Sequence, residues 1–122
     1  MDFDVSFYTD TNGNKPVKDF LTEVFNKNQL FFEQCISAIE KIKHRVYHKE
    51  PFSKALGDGL FEIRIRSKND IARIIYVFTK GKQIILLHGF IKKTKKTPAK
   101  ELDIAVQRLK QILKEYEYEK TN

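Results

Sequence analysis

Leu60-Phe61-Glu62-Ile63-Arg64-Ile65-Arg66 alternates without interruption: Phe61, Ile63 and Ile65 fall on one side, Glu62, Arg64 and Arg66 on the other. A period of two is the mark of a β-strand with one apolar face. Ser67-Lys68-Asn69-Asp70 follows, a cluster of turn-forming residues. Ile71-Ala72-Arg73-Ile74-Ile75-Tyr76-Val77-Phe78 is then apolar on both sides except at Arg73, which reads as an inner strand folded back on the first. Thr79-Lys80-Gly81-Lys82 is a second turn, and Ile84-Ile85-Leu86-Leu87-His88 is another unbroken apolar run. Three consecutive strands with short connections predict an antiparallel meander.

Outward from this core the periods change. Phe3, Val5 and Phe7 alternate with polar neighbours and predict a fourth strand over Phe3–Tyr8, closed by the turn residues Thr9 to Asn14. Pro16 suits a first helical turn, and Val17, Phe20, Leu21, Val24 and Phe25 follow at helical spacing up to Asn26-Lys27-Asn28. A longer helix carries Phe32, Cys35, Ile36, Ile39, Ile42 and Val46 on one stripe, with Lys41, Lys43 and Arg45 towards its end. Cys35 lies on that stripe and reads as core packing. Thr97 is the expected N-cap and Pro98 the first residue of a last helix, whose stripe runs through Leu102, Ala105, Val106, Leu109, Ile112, Leu113 and Tyr116. The expected order is β-α-α-β-β-β-α: one α+β domain over residues 1–122, with a mainly antiparallel four-stranded sheet packed on a helical hairpin plus a C-terminal helix.

The composition excludes several classes. The chain has 122 residues and is 41% hydrophobic, with 10 Phe and 5 Tyr, enough for a core. A single cysteine excludes an internal disulfide framework, and one Cys with three scattered His argues against a structural zinc site. No apolar run approaches the roughly 20 residues of a membrane span, and the acidic start Met1-Asp2-Phe3-Asp4 is unlike a signal peptide. The expectation is a soluble, cytoplasmic protein without membrane partner, metal or cofactor.

Charge is unevenly spread. The net charge is +7, but residues 1–40 hold 3 bases against 7 acids while residues 41–122 hold 20 bases against 9 acids. Such polarity suits a polyanionic partner, above all nucleic acid. Glu62, Arg64 and Arg66 share one strand face, and a guanidinium presents two parallel donors to a phosphate. Arg73, set among apolar residues, requires a carboxylate or an opening onto a cleft. It either joins Arg64 and Arg66 on one concave surface or pairs with Glu62. Lys92, Lys93, Lys95, Lys96 and Lys100 fall within nine residues without an acid among them, so this segment is exposed, between a buried strand and a helix. His88, at the end of an apolar strand, is either a general acid or base or a hydrogen-bonded residue at the core edge. His44 and His48 have metal-like spacing but no third ligand, and read as surface residues.

Lys54-Ala55-Leu56-Gly57-Asp58-Gly59-Leu60-Phe61-Glu62-Ile63-Arg64, then Arg73-Ile74-Ile75-Tyr76, then Leu87-His88-Gly89-Phe90-Ile91-Lys92-Lys93-Thr94-Lys95-Lys96-Thr97-Pro98 with Glu101, closely resemble the RelE/ParE superfamily of type II toxin–antitoxin toxins. The nearest resemblance is to its HigB-like, phage-derived branch, and Pro16-Val17-Lys18-Asp19-Phe20-Leu21 fits that branch too. The resemblance covers nearly the whole chain. It implies a small fold whose active members enter the ribosomal A site and cut messenger RNA, the RNA's own 2′-hydroxyl attacking the adjacent phosphate with no metal. It also implies a cognate antitoxin, here a helix-turn-helix protein, beside the ribosome and mRNA as partners. By position, Arg64 and Arg73 match basic strand residues of the family site, and Lys92 or Lys93 a basic residue at the end of the last strand. Glu62 stands where RelE has a basic residue, so it is either a base or a partner for Arg64. The expected catalytic set is Arg64, Arg73, Lys93, Glu62 and His88. Arg66, Lys92, Lys95, Lys96 and Lys100 are the expected RNA or ribosome contacts. The alternatives implied by the superfamily are a ParE-like, non-enzymatic inhibitor of DNA gyrase and an inactive nucleic-acid-binding relative.

Overall fold

The computed structural model describes residues 2–92 and 96–121, with side chains up to Tyr116. The chain runs β1 (Asp4–Phe7), α1 (Pro16–Lys27), α2 (Gln29–Lys41), a 3₁₀ turn (Arg45–Tyr47), β2 (Ser53–Gly57), β3 (Leu60–Arg66), β4 (Ile71–Thr79), β5 (Gln83–Lys92) and α3 (Ala99–Thr121). The α+β class is as expected, with five strands in place of four. Their order is β1-β5-β4-β3-β2. From β1 at one edge, the helical hairpin carries the chain to the opposite edge, and β2 to β5 return as an antiparallel meander until β5 lies parallel to β1.

Local chemistry explains most boundaries. The Asp10 carboxylate accepts the backbone N–H groups of Asn12 and Asn14, both at 2.9 Å, and closes the first turn. Asn28 ends α1 and caps α2, its side chain accepting from the Phe31 N–H at 3.1 Å. The stripe expected to carry α2 to Val46 stops earlier: Val46 is 64% exposed. The Lys43 carbonyl accepts the Phe3 N–H at 2.8 Å, and His44 is extended, so the chain turns away after Ile42. The unexpected strand β2 is a short edge whose turn into β3, Gly57-Asp58-Gly59, has all three residues at positive φ. That geometry favours glycine at the flanks and tolerates aspartate at the centre.

The sheet is apolar on one face and mixed on the other. Ile63, Ile65, Ala72, Ile74, Tyr76, Ile84 and Leu86 pack against Val17, Leu21 and Val24 of α1 and Phe31, Cys35 and Ile39 of α2. Burial pushes the Cys35 thiol up to about 11, so it remains protonated and inert, as its place on the stripe implies. On the other face Leu60, Ile75, Val77, Leu87 and Phe90 pack against Ala105 and Ile112 of α3. A bulge lies in β5, where the register passes from Ile75↔His88 to Tyr76↔Leu86 and leaves Leu87 as the extra residue. Among the described residues no helix is long and apolar enough to cross a membrane.

Gly89 marks the closest approach of α1 to the sheet: a Cβ there would lie 2.5 Å from Phe20 Cδ2. Gly89→Ala is expected to lower stability by about 1–3 kcal/mol through overpacking, measured by denaturant unfolding. Adding Phe20→Ala is expected to make the Gly89→Ala step nearly neutral.

Candidate nucleic-acid interface

The register assembles the mixed face. Lys54 lies opposite Glu62, Arg64 opposite Arg73, and Lys92 opposite Ile71, with Phe90 opposite Arg73. Alternation puts Lys54, Glu62, Arg64, Arg66, Arg73 and Lys92 on the side that α3 covers. The α3 contacts lie at the Leu60, Ile75 and Phe90 end, and the charged residues occupy the other end. The face brings together Arg64, Arg73, Glu62, Arg66 and Lys92 as the sequence predicted, and adds Lys54.

These groups differ in depth. Glu62 is 0% exposed and Arg73 and Lys92 are each 3% exposed, while Arg64 is half-buried and Lys54 and Arg66 are exposed. Arg73 Nη1 donates to Glu62 Oε1 in a buried ion pair. Of the two settings open to Arg73, the pair with Glu62 is the one observed. The Thr97 hydroxyl donates to Glu62 Oε2 at 2.6 Å, so both carboxylate oxygens are engaged. This corrects the expectation for Thr97. The helix starts at Ala99, and the Pro98 carbonyl accepts the N–H groups of Glu101 and Leu102, both at 3.1 Å. The Lys92 ammonium is held below the ordinary lysine value, first by desolvation and then by Arg73, with Glu62 opposing and Arg64 and Lys54 reinforcing. Lys96 and Lys100 are exposed beside this face in the chain; Lys93 and Lys95 lie outside the described residues.

His88 has a different setting. Its Nε2 is 3.1 Å from Glu101 Oε1, and its Nδ1 is 3.2 Å from Arg108 Nη1, which also donates to the Leu87 carbonyl at 2.7 Å. Arg108 is always a donor, so Nδ1 must accept and Nε2 carries the hydrogen given to Glu101. This single neutral tautomer is favoured because burial pushes the imidazole below its usual value, Glu101 raises it, and Arg108 lowers it. His88 is therefore clamped between β5 and α3. His44 is exposed and meets Asp2 at 3.1 Å. His48, expected at the surface, is half-buried, its ring edge-on to Phe3 and Phe78 at 4.8 and 4.7 Å and its Nε2 on the Ile42 carbonyl. Among the described residues no group of three or more His, Cys, Asp or Glu side chains is placed to hold a metal ion.

Thr97, Glu101 and Arg108 escaped a reading by periodicity because their contacts cross 13 to 35 residues of chain. The meander with an extended basic connection into α3 is the architecture of a small toxin-like α+β protein. Residues 20–110 match the family described as Phage derived protein Gp49-like (DUF891). The chain belongs to this family, one of RelE/HigB-type toxin-like proteins. No curated protein matches it.

Two stability predictions arise here. Arg73→Met strands the Glu62 carboxylate and is expected to cost about 3–5 kcal/mol in denaturant unfolding. Adding Glu62→Gln removes the stranded charge and is expected to restore much of the loss. For His88 the folded value lies below the unfolded one, so the unfolded chain binds more protons between them. Its contribution is complete above about pH 6.5 and is lost as pH falls through the lower folded value. Melting curves across this range are expected to show that acid loss in the wild type and a shallower one in His88→Gln.

Proposed function

We propose that this chain is the toxin of a type II toxin–antitoxin module, a ribosome-dependent endoribonuclease that cleaves mRNA and halts translation. The observation that carries the reading is the end of the sheet face left beside α3, where Lys54, Arg64 and Arg66 reach solvent above the buried Arg73 and Lys92. Family membership supports it. A flat cationic floor bordered by a lysine-bearing connection fits an extended polynucleotide backbone better than an enclosed small molecule.

In the proposed reaction the 2′-oxygen attacks the adjacent phosphorus, the bond to the 5′-oxygen breaks, and the products are a 2′,3′-cyclic phosphate and a 5′-hydroxyl. The 2′-hydroxyl gives up one proton and the leaving 5′-oxygen gains one. Arg64, half-buried and facing outwards, is the phosphate contact, and Arg73 supports it from beneath through Glu62. Glu62 and His88 have their polar atoms committed to neighbours, which moves proton transfer to the lysines. Lys92, its ammonium acidified by the surrounding cations, is the described candidate, with Lys93 adjoining it in the chain. A helix-turn-helix antitoxin is the proposed partner that silences this face.

In a purified translation system the wild type is expected to cut mRNA when ribosomes are present and to leave naked mRNA intact. Arg64→Ala is expected to slow single-turnover cleavage by about 10²–10³, the scale for loss of one charge-stabilising donor, with little change in melting temperature. Intact mRNA together with inhibited gyrase supercoiling would replace this reading with the gyrase-inhibitor one.

A further inference from the structure

Glu62 has no solvent exposure, and its two oxygens are turned to opposite tasks. Oε1 holds Arg73 on the neighbouring strand, and Oε2 holds Thr97 on a segment 35 residues away in sequence. Thr97 directly follows the run that contains Lys92, Lys93, Lys95 and Lys96. The other end of this run is fixed by Lys92, the last residue of β5, which is 3% exposed and paired in register with Ile71. Both ends of the lysine run are thus tied to the sheet face that carries Arg64. One tie is strand pairing; the other is a single charge-assisted hydrogen bond, short for an O–H···O contact. The start of α3 does not call on that hydroxyl, because the Pro98 carbonyl takes the first helical N–H groups.

We propose that Glu62 and Thr97 form a positioning clasp that anchors the C-terminal end of the lysine run at the cationic sheet face, with Arg73 keeping the carboxylate charged and aimed. Neither Glu62 nor Thr97 touches the RNA. Their task is to hold the lysine run in register with Arg64, so that both sets of cations act on one stretch of phosphates. The clasp rests on the nuclease reading for its catalytic consequence, but its effect on polyanion binding is independent of that reading.

The test uses the full chain with Thr97→Val, which keeps the shape and removes the hydroxyl, and Thr97→Ser, which restores it. All rates are read well below each variant's melting transition, so that any stability cost of the orphaned Oε2 does not enter. In single-turnover cleavage at saturating ribosomes, Thr97→Val is expected to be at least about 10-fold slower than wild type, the scale for a hydrogen bond to a charged group. Thr97→Ser is expected to recover most of the rate. Binding of a single-stranded RNA oligonucleotide is followed by fluorescence anisotropy across a salt series. Each lysine displaced from the phosphates is expected to flatten the slope of log K against log salt by about 0.7, in Thr97→Val and not in Thr97→Ser. Wild-type rate and slope in Thr97→Val would overturn the clasp, as would equal loss in the Val and Ser variants. A wild type that binds RNA without cutting mRNA, with the slope still flattened in Thr97→Val, would keep the clasp and remove the nuclease reading.

Discussion

A carboxylate with no solvent exposure sits where two sheet strands and the approach to the last helix meet. Taking that charge out of water costs several kcal/mol unless its oxygens are met by good donors. Glu62 is met by Arg73 and Thr97. The register makes the first pairing geometrically natural: Glu62 lies opposite Ile75, and Arg73 is two residues from Ile75, so the pair is diagonal across β3 and β4. The same register sets Arg64 directly opposite Arg73, an arrangement that by itself is repulsive. The carboxylate resolves this by drawing the Arg73 guanidinium to itself, and Arg64 is left as the half-buried member facing outwards.

The second constraint is coverage. A five-stranded sheet has two faces, and the helical hairpin covers one of them with an apolar contact running from Val17 to Ile39. The other face has α3 alone. One helix is about 10 Å wide, less than the roughly 19 Å from the first to the last axis of five strands spaced 4.7–4.9 Å apart. The consequence is a division of labour: apolar side chains where α3 lies, from Leu60 to Phe90, and charged ones where it does not. The bulge at Leu87 fits the same division. It turns Leu87 into the α3 contact and leaves His88 opposite Ile75, within reach of Glu101 and Arg108.

The meander was legible because β3, β4 and β5 have different hydrophobic periods. Alternation in Leu60–Arg66 marks one polar face, and unbroken runs in β4 and β5 mark strands flanked on both sides. β2 was not legible: Lys54 to Gly57 is a short exposed edge without alternation, and it is paired because the Gly57-Asp58-Gly59 turn delivers it to β3. The parallel docking of β1 on β5 is equally absent from any local pattern, since it joins opposite ends of the sheet's path. For the site, sharing of one face by Glu62, Arg64 and Arg66 followed from period two alone, and the choice of Glu62 for Arg73 needed the register. Thr97 followed neither rule. A threonine before proline at a helix start carries the same letters whether it caps the helix or reaches a distant carboxylate, and what decided between them was the buried charge that lacked a second donor.

One carboxylate among several cations also explains the energetics of the face. Lys92 is held below the ordinary lysine value by Arg73, Arg64 and Lys54 even though Glu62 opposes them, so positive potential there exceeds what the protein itself compensates. Such a surface costs folding stability through self-repulsion. An incoming phosphate reverses the sign of that term, raising the proton affinity of Lys92 while relieving repulsion among the arginines. A face of this kind therefore binds anions with free energy withheld from folding, and Glu62 sets how much is withheld. With a second carboxylate the cations would be satisfied within the protein; with none, Arg73 would be a buried charge without a counter-charge. A single carboxylate shared between Arg73 and Thr97 keeps the interior neutral and the surface receptive.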